Sequence, residues 1–128
     1  SQVGGAGGSG IVIVSVSQAE TTSSSMTLIS DTFTASGTPS TARIVIFAEL
    51  GDDINSEISA SVTRDNTTFN AVTLTDEGYS AGSSGIKIFS GSTPLTGSAS
   101  PQVRLRWKIV GSSLEGANKI HGVSLQWK

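Results

Sequence analysis

At 128 residues and a formal net charge of −2, the chain is sized for one domain that buries about two-thirds of its unfolded surface. The acidic balance argues against nucleic acid as a partner, because backbone binding needs a basic patch to displace counterions. It has no cysteine, which excludes disulfides, iron–sulfur clusters and thiolate zinc sites, and no run of about 18 apolar residues to insert in a membrane as a helix.

The first ten residues, Ser-Gln-Val-Gly-Gly-Ala-Gly-Gly-Ser-Gly, carry almost no side chains able to build a core. Residues 1–10 are therefore expected to form a flexible arm or linker. Their glycines would equally let several backbones approach closely, as at a fibre axis or beneath a capsid protein. The chain opens at Ser1 rather than Met, as expected if an initiator has been removed or if the chain is the C-terminal piece of a longer protein.

Strand signals then recur at regular spacing. Residues 11–17 form the first expected strand, followed by 25–30, a short 32–34 and a turn-rich 36–40. Residues 42–50 are apolar on both faces in their middle, the mark of a central strand covered on both sides. In residues 57–64, Ile58, Ala60 and Val62 alternate with Glu57, Ser59, Ser61 and Thr63. Residues 68–74 pair back to them through Asp65-Asn66, a turn pair that tolerates positive φ. Residues 85–89 follow a Gly-Ser loop, and 102–110 place Val103, Leu105, Trp107 and Ile109 on an inner face. The closing strand, 118–128, sets His121, Val123, Leu125 and Trp127 inward, opposite Ile120, Gly122, Ser124 and Gln126. A large aromatic so near the end predicts that this strand is paired and buried. No stretch sustains a helical period. About eight or nine short strands predict an all-β, antiparallel β-sandwich of jelly-roll type over residues 11–128.

Little in this chain looks catalytic. The sole histidine, His121, reads as a packing or interface residue, and no Gly-x-Ser-x-Gly elbow, phosphate loop or zinc motif occurs, so an enzyme is not expected. Asp52, Asp53, Asn55 and Glu57 present oxygen atoms at spacings that can wrap a calcium ion, although a polar hairpin loop accounts for them equally well. No other cofactor is suggested. Thr63-Arg-Asp-Asn-Thr-Thr-Phe69 looks like a shortened Asp-box hairpin, in which the aspartate ties the turn and the aromatic packs beneath it. Arg104, Arg106 and Lys108 line the outward face of one strand. They read either as a solvated edge or cross-strand partners of Glu57, Asp76 or Glu77, or as a surface for a neighbouring subunit or an anionic sugar. With two Trp, one Tyr and four Phe, a stacking platform for sugar is hard to assemble, and Tyr79 is the aromatic placed for solvent and ligand contact.

The order of elements is distinctive. Glycine-rich residues 4–10 run into Ile11-Val-Ile-Val-Ser-Val16. Thr38-Pro-Ser-Thr-Ala-Arg-Ile-Val-Ile46, Ser61-Val-Thr-Arg-Asp65 and Gly91-Ser-Thr-Pro-Leu95 follow, then Val103-Arg-Leu-Arg-Trp-Lys108 and Ile120-His-Gly-Val-Ser-Leu-Gln-Trp127. This pattern resembles small β-sandwich domains of bacteriophage virion proteins, particularly C-terminal modules of tail fibres and related appendages. The resemblance implies a structural protein on the surface of the phage particle, usually a homotrimer, set among other virion proteins and able to touch a host-surface polysaccharide. A capsid decoration protein, whose arm clamps the shell, is the competing reading, and a carbohydrate-binding module is a third.

Overall fold

The computed structural model describes residues 2–4, 10–21, 25–35, 37–82, 85–98 and 103–128. Most of the expected arm, residues 83–84 of the Gly-Ser loop before residue 85 and the expected strand start at Gln102 lie outside the described residues. The described chain is entirely β: β1 (Gln2–Gly4), β2 (Gly10–Thr21), β3 (Ser25–Ile29), β4 (Phe33–Ala35), β5 (Thr41–Leu50), β6 (Ile58–Thr63), β7 (Phe69–Val72), β8 (Thr75–Tyr79), β9 (Lys87–Pro94), β10 (Val103–Ser112) and β11 (Asn118–Trp127). Within the glycine-rich segment, β1 pairs antiparallel with β2.

Two antiparallel sheets pack face to face. One has six strands in the order β1-β2-β11-β5-β9-β8; the other has five, in the order β3-β10-β6-β7, with β4 also paired to β10. Apart from the β1–β2, β6–β7 and β8–β9 pairs, neighbours in each sheet are distant in sequence, because the chain crosses repeatedly from one sheet to the other. The eight strands β2, β3, β5, β6, β7, β9, β10 and β11 give the interleaved order of a jelly roll.

Alternation of apolar and polar residues builds the core. Leu105, Trp107 and Ile109 of β10 and Ile58, Ala60 and Val62 of β6 meet Ile44, Ile46 and Ala48 of β5 and Val123, Leu125 and Trp127 of β11. Trp107 and Trp127 are both buried, and their Nε1 atoms have no hydrogen-bond partner. At β3–β4 the edge is interrupted at Ser30, whose backbone N–H donates to the Trp107 carbonyl while its Oγ accepts the Trp107 N–H. That reciprocal pair carries the ladder across the break.

Three expectations change. His121 does not point inward. A bulge between Ile120 and Gly122 adds a residue to β11, which buries Ile120 and turns His121 outward to within 3.3 Å of Glu49 Oε1. β5 is central, between β11 and β9, but not fully covered on both sides: Val45 and Phe47 lie only half-buried on the outer face. Finally, residues 77–79, expected to open the Gly-Ser loop that runs to Gly85, instead end the edge strand β8.

Candidate functional site

Two loops meet at one end of the six-stranded sheet. β5 runs out through Glu49 and Leu50 into residues 51–57. The loop folds tightly because the Asp53 carbonyl accepts the N–H groups of Glu57 and Ile58, while the Asp53 N–H donates to Glu57 Oε1 at 3.0 Å. Asn55 takes a positive φ of 72°. Its side chain mimics a strand partner: Nδ2 donates to the Leu74 carbonyl at 2.9 Å, and Oδ1 accepts the Leu74 N–H at 2.8 Å. This pair fixes the loop to the β7–β8 connection.

Asp52 ties the same loop to the β10–β11 connection. Its carboxylate accepts the N–H groups of Glu115 and Gly116 and the side-chain amide of Asn118 at 2.9 Å. Those donors favour the charged form, Asn118 first and Glu115 next, and hold the Asp52 carboxyl below its ordinary value against the opposing effect of burial. Asn118 itself is wholly buried, and its Oδ1 accepts the Gly51 N–H. A Cβ on either Gly51 or Gly116 would press on the other loop's backbone, so their close approach needs glycine.

The second side comes from β8 and β9. The register shifts between Asp76 and Tyr79, where Gly78 takes a φ of 95°. The irregularity leaves Tyr79 60% exposed beside Lys87, whose Nζ lies 5.2 Å from the ring centroid. Lys87 also donates to Asp76 Oδ2 at 3.0 Å. This bond is the leading cause of both shifts: it lowers the Asp76 carboxyl, with help from the Gly78 N–H, and raises the Lys87 ammonium.

Between these walls lies an open cleft of about 490 Å³, lined by Glu49, Leu50, Asp52, Asp53, Ile54, Asp76, Tyr79, Lys87 and Phe89, with Gly51, Gly85 and Ala117. That size fits a small ligand. Its floor is apolar at Leu50, Ile54 and Phe89, and its rim carries four carboxylates against one ammonium. Among the described residues the Asp53 carboxylate has no hydrogen-bond partner, so it stands free to accept one. No family model, curated protein or solved structure matches the chain.

The residues expected from sequence therefore separate into two groups. Tyr79, Asp52 and Asp53 come together at the cleft. Asn55 and Glu57 serve the loop backbone, and among the described residues no group of three or more His, Asp or Glu side chains is placed to hold a metal ion. Arg104, Arg106 and Lys108 lie elsewhere, on the outer face of the five-stranded sheet. β10 is central rather than an edge, and none of the expected acidic partners reaches these cations. Glu57 accepts the Asp53 N–H, Asp76 pairs with Lys87, and Glu77 Oε2 accepts the Ser90 hydroxyl at 2.7 Å. Glu49, Lys87 and Phe89 were not singled out from sequence. They sit on strands, and only the pairing of β5 with β9 and β9 with β8 brings them beside Tyr79.

The expected hairpin at Thr63 forms. Asn66 has a φ of 64°, and Asp65 Oδ1 accepts the N–H groups of Thr67 and Thr68 and the Thr63 hydroxyl. The Phe69 ring receives Lys108, whose Nζ lies 4.0 Å from its centroid.

Proposed function

We propose that this chain is a non-enzymatic attachment module of a bacteriophage virion, a fibre or appendage tip that holds a host-surface glycan in the cleft beside Tyr79. The observation that carries the glycan reading is the convergence of two loops, fixed by Asp52, Asn55 and Asn118, on one open cleft with an exposed aromatic on its wall. A pyranose offers an apolar C–H face and a ring of hydroxyl donors. The first suits Tyr79; the second suits the free Asp53 carboxylate and Glu49. Four carboxylates against Lys87 favour a neutral or amine-bearing sugar and disfavour an acidic one. The virion and trimer parts of the proposal rest on the sequence resemblance. Three copies would turn a weak single site into firm adhesion through effective concentration.

Binding of the purified protein to arrayed bacterial polysaccharides, together with inhibition of adsorption on susceptible cells, tests the proposal. Tyr79→Ala is expected to weaken glycan binding by about tenfold or more, which is about 1.4 kcal/mol, without changing the circular dichroism spectrum. The reading fails if no polysaccharide is retained, or if Tyr79→Ala binds as the parent does. Stoichiometric binding to phage heads without glycan binding would favour the decoration reading instead.

A further inference from the structure

The outer face of the five-stranded sheet carries a second surface that the cleft does not use. Arg104 is exposed on β10, Arg106 and Lys108 are half-buried, and the intervening Leu105 and Trp107 are buried. β10 lies between β3 and β4 on one side and β6 on the other, so the row crosses the middle of a sheet face. Strand geometry spaces neighbouring cations about 7 Å apart and the whole row about 13 Å from end to end.

What surrounds the row is hydroxyl and apolar. Arg104 stands opposite Thr34 in the register, and Lys108 between Ile29, 48% exposed, and Ser61. Among the described residues no carboxylate lies within ion-pair distance of any of the three. Asp65 is bridged to Arg104 through the backbone, but its carboxylate is committed to its own hairpin. Two of the three heads are already held: Arg106 Nε donates to Thr32 Oγ1 at 2.9 Å, and Lys108 Nζ sits 4.0 Å from the centre of the Phe69 ring. Part of their freedom is thus lost before any ligand arrives. Three of the eight Lys and Arg residues of an acidic chain gather here with no acid among them.

From this arrangement we infer that the row binds an extended anionic polysaccharide, its carboxylate or sulfate groups meeting Arg104, Arg106 and Lys108 and its hydroxyls meeting Thr34 and Ser61. A linear row on an open sheet suits a chain ligand rather than a compact one. Guanidinium groups pair well with planar or tetrahedral oxyanions. Nucleic acid fits less well, because the one aromatic ring in the row is occupied by Lys108 and leaves no stacking platform. A second copy of this chain fits less well too. Five of its ten acidic residues, Asp52, Asp65, Asp76, Glu57 and Glu77, already accept internal donors, and the free Asp53 sits in the cleft of the other sheet.

Biolayer interferometry on the full chain tests this with immobilised heparin for sulfate, polygalacturonate for carboxylate, dextran as the neutral control and poly(dT) for nucleic acid. Either polyanionic sugar is expected to bind at low salt, to weaken steeply as sodium chloride is raised, and to exceed both dextran and poly(dT). The triple variant Arg104→Gln, Arg106→Gln, Lys108→Gln should lose about tenfold or more of that affinity while keeping the parent circular dichroism spectrum. Tyr79→Ala should leave it unchanged, which separates this surface from the cleft. Arg104→Gln alone, at the exposed position, should give a partial loss and serves if the triple variant does not fold. The inference is overturned if neither polyanion binds, if the folded variant binds as the parent does, or if poly(dT) binds as tightly. Light scattering that shows self-association abolished by the same variant would reassign the row to a second copy.

Discussion

Asp65 shows how much of this fold can hang on one carboxylate. It gathers the Thr67 and Thr68 N–H groups at 2.8 and 2.7 Å and the Thr63 hydroxyl at 3.0 Å, closing the β6–β7 hairpin. A side chain at Gly97, where φ is 101°, would collide with that carboxylate, and the Gly97 carbonyl accepts the Arg64 guanidinium at 2.9 Å. The Thr68 N–H leads in holding the Asp65 carboxyl at about 2, below the ordinary 3.8, and partial burial opposes it. A folded value below the unfolded one means that the charge stabilises at neutral pH. The benefit is full above about 4 and fades as pH falls toward about 2. Asp65→Ala is therefore expected to cost about 1–3 kcal/mol in a urea titration at pH 7. The gap to the parent should narrow on acidification through that window. A gap that stays constant down to pH 2 would show that the hydrogen-bonded charge contributes nothing.

At the scale of elements, legibility followed local pattern. β6 and β10 alternate cleanly, so their inner faces could be read directly, and Asp65-Asn66 marked the hairpin between β6 and β7. β11 alternates as well, yet His121 was misplaced, because a bulge at Ile120 and Gly122 leaves no mark that distinguishes it from a regular strand. β8 escaped because Thr75-Asp-Glu-Gly-Tyr79 has almost no apolar residue; pairing with β9 makes it a strand. The cleft was half legible. Tyr79 and the 51–57 loop stood out by polarity, but Glu49 and Lys87 join them only through sheet order. Asn118 was equally hidden, as one polar residue opening an apolar strand. Its amide satisfies the Gly51 N–H and donates to Asp52 and to the Gly116 carbonyl. Asn118→Ala would orphan these groups and is expected to lower stability by about 2–4 kcal/mol. Because the loop carrying Asp53 would loosen, sugar binding should weaken with it. A variant as stable as its parent, by thermal melt, would refute the role given to Asn118.

For the whole molecule, the decisive feature is that successive strands keep changing sheets. Neither sheet can form from one continuous stretch of sequence: β5 and β9 of one bracket β6 and β7 of the other, and β10 and β11 fall on opposite sides of the core. The two sheets should therefore unfold together. The tryptophans offer a direct reading, since Trp107 lies in the five-stranded sheet and Trp127 in the six-stranded one, each buried within the shared core. Trp107→Phe leaves Trp127 as the sole fluorophore of that kind, and Trp127→Phe leaves Trp107. Each replacement loses packing volume, offset in part by removing an indole N–H that has no partner. In both variants the fluorescence and far-ultraviolet circular dichroism transitions in urea are expected to share one midpoint. Separate midpoints would mean that one sheet survives the other. The cleft and the cationic row, which belong to different sheets, could then no longer be treated as surfaces of one cooperative body.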